Sequence, residues 1–242
     1  MVAFERAMAE GADGIEFDVR LSRDGVPVVI HDSNLRRVGL RPERVSNLTA
    51  EEMRGCDVGS WFNHRFPALS QDVYANQCVP SLAEFFTFIQ KHAGVFYLEM
   101  KPDRGRASEL VLEVSKLIQQ HQLQDRIVVL SFDLSAVKAI KDRSPQVRTG
   151  ALFQPRFFRT GSPMRRGAMI RSALACNADE IALHKLLVTP RLVEQAASAS
   201  LNVVVWTVDD LTWLETAHRL GIRAVITNNP QQMTGRTTIS SI

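Results

Sequence analysis

The sequence predicts an α/β fold, a TIM (β/α)8-type barrel with its first strand missing and a small insertion after the second barrel strand. Three observations point there. Short apolar β-type runs alternate with helix-period stretches along nearly all of the 242 residues. Strand after helix after strand at this spacing implies parallel pairing with right-handed crossovers. Polar residues gather near strand ends at both extremes of the chain, and no glycine-rich nucleotide loop marks a dinucleotide fold.

The elements follow in order. Residues 2–10 read as a helix with Phe4, Ala7 and Met8 on one face and Gly11 as its stop. Residues 14–21 form a strand, Asp24-Gly25 a tight turn, and residues 27–31 a short returning strand. The stretch of about 32–79 is irregular, with one short helix capped by Thr49 and Glu52, and is too long for an ordinary loop. Ser81-Leu82-Ala83-Glu84 is a second capping box and opens a helix to about His92. Strands are then expected at 95–101, 126–132, 147–153, 179–184, 202–208 and 223–227. Helices separate them at 107–120, 134–143, about 165–176, 190–199 and 211–220. Thr189 caps the fourth of these helices with Pro190 at its first position, and Gly221 stops the fifth.

That gives seven core strands, with 27–31 as a hairpin partner. A closed barrel has eight, and the chain starts on a helix with no strand before it, so the first strand is expected to be absent. An open doubly wound sheet is the alternative. With 45% apolar residues the chain can bury one core, so residues 1–233 are expected to be a single domain, followed by a disordered tail at 234–242.

Lysine and arginine number 29 against 26 acidic residues, a net charge of +3 that gives no footing for nucleic acid. Cys56, Cys78 and Cys176 fit no zinc or redox spacing, which favours a reducing, cytoplasmic setting. No run approaches the roughly 18 apolar residues of a membrane span.

Chemistry concentrates on two strands. In Gly14-Ile15-Glu16-Phe17-Asp18-Val19-Arg20, alternation sets Glu16 and Asp18 on one face. Adjacent carboxylates raise each other's pKa, and a cation between them relieves the repulsion. A half-buried strand whose acidic face meets water is the plainer alternative. In Val95-Phe96-Tyr97-Leu98-Glu99-Met100-Lys101-Pro102 the same alternation pairs Glu99 with Lys101. Pro27-Val28-Val29-Ile30-His31-Asp32 adds a histidine at a strand end. Arg156, Arg159, Arg165 and Arg166 cluster near another strand end, most simply as a solvated loop, and His184-Lys185 follows a strand toward the mouth.

From Phe4 to about Pro230 the chain resembles the glycerophosphodiester phosphodiesterases of the TIM-barrel phosphodiesterase superfamily. The matching motifs are Glu16-Phe17-Asp18, His31-Asp32, Leu98-Glu99-Met100-Lys101-Pro102, Val205-Trp206-Thr207-Val208 and Ile226-Thr227-Asn228-Asn229-Pro230. The resemblance implies that Glu16, Asp18 and Glu99 ligate one divalent cation, Mg²⁺ or Ca²⁺, as suits an all-oxygen site. It further implies that Lys101 meets a phosphate oxygen, that His31 is one of two proton-transferring histidines, and that Trp206 lines the pocket for the glycerol moiety. Trp206 could equally be a barrel-filling aromatic. The implied activity is hydrolysis of a small glycerophosphodiester to glycerol 3-phosphate and an alcohol. A lysophospholipid-directed phosphodiesterase and a non-catalytic barrel that binds diesters or metal are the alternatives. Family members begin with a strand ending in His-Arg-Gly and a Pro-Glu-Asn segment, and neither motif occurs here. None of His64, His92, His121, His184 or His218 lies in a matching motif, so none is assigned the first histidine's role.

Overall fold

In a strand every second side chain leaves on the same side, and that alternation divides the buried residues of this chain into an inner and an outer layer. The computed structural model describes residues 1–155 and 166–234. Its strands are β1 (Glu16–Leu21), β2 (Pro27–Val29), β3 (Phe96–Met100), β4 (Ile127–Ser131), β5 (Arg148–Phe153), β6 (Glu180–His184), β7 (Asn202–Trp206) and β8 (Ala224–Val225). They form one sheet in the order β2-β1-β3-β4-β5-β6-β7-β8. β2 pairs antiparallel with β1, and every other neighbouring pair is parallel. A doubly wound sheet reverses its strand order at a switch point, whereas the parallel strands here, β1 and then β3 to β8, run in chain order, as in a barrel wall. Among the described residues no ladder joins β8 to β1.

The inner layer packs Tyr97, Val128, Leu130, Leu152, Ala182 and Val204 against one another, with Phe132, Trp206 and Ile226 partly buried at its margin. The outer layer packs Phe17, Leu98 and Met100 against α4 (Leu82–Ile89) and α5 (Ala107–Gln120). On the other half, Ala151, Ile181, Val203 and Val205 meet α7 (Arg166–Ala175) and α8 (Pro190–Ser198). Phe85 and Phe86 of α4 are fully buried, which contributes about 1.5–3 kcal/mol each. The N-terminal helix α1 (Val2–Ala9) lays Phe4 edge-on to Phe85 at 4.6 Å.

Local signals set the element ends. Thr49 and Ser81 each form a complete capping box, with Glu52 and Glu84 respectively, worth about 1 kcal/mol per cap. Asp133 caps α6 (Leu134–Arg143), Thr189 caps α8, and Gly221, at φ +67°, ends α9 (Thr212–Leu220) in the left-handed region. The entries to β1 and β3 run so close that a Cβ on Gly14 would lie 2.0 Å from the Val95 carbonyl oxygen. A Cβ on Gly94, whose φ is +115°, would lie 2.0 Å from the Asp13 carbonyl oxygen.

The stretch between β2 and α4 has its own small core of Leu35, Val45, Leu48, Met53, Cys56 and Val79, closed beneath by Val28 of β2. It holds α2 (Ala50–Arg54), the helix expected from Thr49 and Glu52, and also α3 (Ser60–Arg65). α3 was not expected because Gly59 precedes it with no capping side chain. Strands β2, β7 and β8 are shorter than their apolar runs suggest. The backbone continues to pair beyond β7 and β8, with the Val208 amide donating to the Ile226 carbonyl, but outside regular strand. The chain also forms a last helix, α10 (Pro230–Thr234), where no helix was expected. Residues 235–242 of the expected tail, and Arg156, Arg159 and Arg165, lie outside the described residues.

Candidate active site

The parallel register of β1 and β3 sets Asp18 beside Glu99, and alternation places Glu16 and Lys101 on the same face. Glu16, Asp18 and Glu99 each direct a carboxylate oxygen to one point, all three within 4.8 Å of one another. The Lys101 ammonium lies 3.1 Å from Asp18 Oδ1 and 2.9 Å from Glu99 Oε1. Burial, then the Asp18 and Glu99 charges, push the Glu16 carboxyl well above its ordinary value, against the pull of Lys101. Glu99 is raised as well, by burial first, with Lys101 opposing and Asp18 adding to the shift. Burial works against the Lys101 ammonium, but Asp18 and Glu99 more than offset it and its pKa is raised. Three carboxylates thus share one ammonium in a partly desolvated corner, an arrangement short of positive charge. An all-oxygen set of this kind could hold a hard divalent cation.

His31 follows β2 and is held from two sides. Its backbone carbonyl accepts from Arg20 Nε at 2.9 Å, and the same guanidinium donates through Nη1 to the Lys101 carbonyl at 3.4 Å. Its ring Nδ1 lies 2.7 Å from Asp32 Oδ1. Asp32 Oδ2 accepts from Arg37 Nε at 2.8 Å. The Arg37 contact keeps the Asp32 carboxyl below its ordinary value against burial, with His31 assisting, so Asp32 is an acceptor and His31 carries its proton on Nδ1. Nε2 is then free to accept a proton.

These groups face one cavity of about 1970 Å³, whose lining includes Glu16, Asp18, His31, Glu99, Lys101 and Trp206. Trp206 closes it at the end of β7, with its ring 5.7 Å from Phe132 and 5.3 Å from His184, both edge-on. The indole Nε1–H is buried without an acceptor among the described residues. Trp206 therefore both packs on the inner core and faces the cavity. His184 is held by the Leu186 amide, which donates to Nδ1 at 3.3 Å, and burial and then Lys185 lower its pKa. Asp209 ties the turn after β7 to the end of β8, accepting from the Thr227 hydroxyl at 2.9 Å and the Asn228 amide at 2.7 Å.

The structure thus brings together Glu16, Asp18, Glu99, Lys101, His31 and Trp206 around one space. Sequence reasoning missed Arg20, although it sits on the Glu16-Asp18 alternation and could have been read inward. It also missed Arg37 and Trp61. Their contact, with the guanidinium 5.4 Å from the indole centre, depends on how the irregular stretch folds.

The model of the glycerophosphoryl diester phosphodiesterase family matches residues 1–232. A glycerophosphodiester phosphodiesterase of Caldanaerobacter subterraneus subsp. tengcongensis is 28% identical over 235 residues, covering 96% of this chain and 89% of its own length. One from Bacillus subtilis is 26% identical, covering 95% and 78%. An Oleispira antarctica phosphodiesterase, solved in complex with the product sn-glycerol-3-phosphate, superposes with a TM-score of 0.81 at 23% identity, covering 96% of this chain and 87% of that one.

Proposed function

The chain belongs to the glycerophosphoryl diester phosphodiesterase family, and from that premise we propose that it hydrolyses glycerophosphodiesters to glycerol 3-phosphate and an alcohol. The observation that carries the reading is the convergence of Glu16, Asp18 and Glu99 with Lys101 in one cavity that also holds His31. In this reading residues 1–233 act as one barrel domain with the insertion at about 32–79. The free thiols of Cys56, Cys78 and Cys176 support a reducing, cytoplasmic setting.

The three carboxylates hold one divalent cation, Mg²⁺ or Ca²⁺, and fit it on charge and donor type, since their oxygens already converge and lack positive charge. When bound, the cation supplies Lewis-acid charge stabilisation at phosphate. Lys101 offers its ammonium to a non-bridging phosphate oxygen, where negative charge grows as the pentacoordinate phosphorus forms. His31 exchanges the reaction proton at Nε2, because Asp32 holds Nδ1. Trp206 presents the apolar face of its indole to the glycerol moiety.

The test is turnover of glycerophosphocholine followed by phosphorus NMR, with Mg²⁺ or Ca²⁺, with EDTA, and with Glu99→Ala. Release of glycerol 3-phosphate that EDTA and Glu99→Ala both abolish is the expected result. Release of phosphocholine instead, or no turnover by a folded chain that binds the ion, would overturn it.

A further inference from the structure

The irregular stretch between β2 and α4 does more than border the cavity. A line of contacts runs from it to the ring of His31. Trp61 lies on α3, and its indole supports the Arg37 guanidinium at 5.4 Å. Arg37 Nε donates to Asp32 Oδ2 at 2.8 Å, and Asp32 Oδ1 lies 2.7 Å from His31 Nδ1, placed to accept its N–H. The His31 ring is 62% exposed, so packing does not orient it and the Asp32 contact must. Asp32 is itself held by a side chain that is 54% exposed and that finds its own support on Trp61.

We propose that Arg37 and Trp61 are positioning residues that fix the tautomer of His31 through Asp32. This rests on the proposed hydrolase reading for its purpose, though not for its test. A neutral imidazole left in water prefers its proton on Nε2, which would leave no acceptor facing the cavity. The Asp32 carboxylate reverses that preference only while it stays ionised and aimed at Nδ1. Arg37 holds that aim, since its Nε bond to Oδ2 fixes the carboxylate plane. Stacking on Trp61 removes rotamer freedom from an otherwise mobile arginine. Folding of the insertion and readiness of the proton-transfer group are thereby coupled.

The experiment is long-range ¹⁵N–¹³C correlation of the histidine rings at about pH 8.5, two units above the ordinary imidazole value. His31 is assigned by its loss in His31→Gln, and spectra are taken with wild type, Asp32→Ala, Arg37→Ala, Trp61→Ala and Trp61→Phe. In the wild type the Nδ1–H tautomer is expected to dominate. It should fall to a minority in Asp32→Ala and Arg37→Ala, fall partly in Trp61→Ala, and recover in Trp61→Phe, which keeps an aromatic face. A melting curve identifies any variant that unfolds, and Trp61→Phe and Arg37→Ala, altering exposed or conservatively replaced groups, keep the comparison open in that event. Where the chain turns over, Arg37→Ala should lower kcat about 10-fold and leave KM unchanged. An Nδ1–H tautomer that survives Arg37→Ala and Trp61→Ala, or an Nε2–H tautomer in the wild type, overturns the proposal. The tautomer readout needs no turnover, so failure of the hydrolase reading would be seen separately.

Discussion

Lys101 reaches from β3 to the Asp18 carboxylate of β1 at 3.1 Å while holding Glu99 of its own strand at 2.9 Å. One ammonium thus bridges two neighbouring strands at the point where three carboxylates converge. Its charge competes with a metal cation for the same oxygens. Lys101→Met should therefore tighten binding of Mg²⁺ or Ca²⁺ several-fold while lowering turnover by about 10²–10³. Calorimetry and product release on the same preparation separate the two effects. Weaker ion binding in the variant would contradict a phosphate-directed role for the lysine.

Trp206 lines the cavity at the end of β7, and its indole N–H is buried with no acceptor among the described residues. Trp206→Ala removes the aromatic face that packs against Phe132 and His184. A KM raised about 5-fold with kcat nearly unchanged is expected for glycerophosphocholine, the size of one lost apolar contact. An unchanged KM would leave Trp206 as a barrel-filling aromatic.

At the opposite end of the barrel, Glu180 is fully buried, with Oε1 3.4 Å from Arg148 Nη1 and Oε2 without a partner among the described residues. Burial raises its pKa, with Arg148 and a hydrogen bond from Tyr97 opposing. A carboxyl whose folded pKa lies above its unfolded value of about 4.3 binds more protons in the native state, so it stabilises at low pH. That contribution is lost as pH rises through the folded pKa. Urea denaturation from pH 4.5 upward should therefore show a decline in stability that Glu180→Gln flattens. An identical profile in both proteins would show that Arg148 already compensates the charge.

Gly14 and Gly94 should be indispensable to the junction of β1 and β3, since a Cβ on either would sit 2.0 Å from a backbone oxygen. Backbone cannot swing aside as a flexible side chain can. Gly94→Ala is expected to cost about 2–4 kcal/mol, or roughly 5–15 °C in Tm. Gly105, at φ +82° but with nothing within 4 Å of its Cβ position, is the control, and Gly105→Ala should cost about 1 kcal/mol. Equal melting temperatures for the two variants would argue against the close approach.

Features with a short-range cause were legible in the sequence. Thr49 and Ser81 announce their helices because a capping box is complete within four residues. Glu16, Asp18, Glu99 and Lys101 could be put on matching faces because strand alternation needs no knowledge of the rest of the chain. What stayed hidden depends on tertiary approach. α3 has no capping side chain to signal its start, and the Arg37–Trp61 contact exists only once the insertion has folded over the barrel rim. Arg20 lies between these cases, placed by alternation but given its role by the His31 and Lys101 carbonyls it meets.

The convergence of Glu16, Asp18 and Glu99 is tested most directly by calorimetric titration of Mg²⁺ and of Ca²⁺ into the chelator-stripped chain, beside Glu99→Ala. One ion should bind per chain, with affinity falling about 100-fold or more when the third carboxylate is removed. Saturation at 100 times Kd should also raise wild-type stability by about 2.7 kcal/mol. Equal binding by the two proteins, or no binding by the wild-type chain, would contradict a metal centre at these three residues.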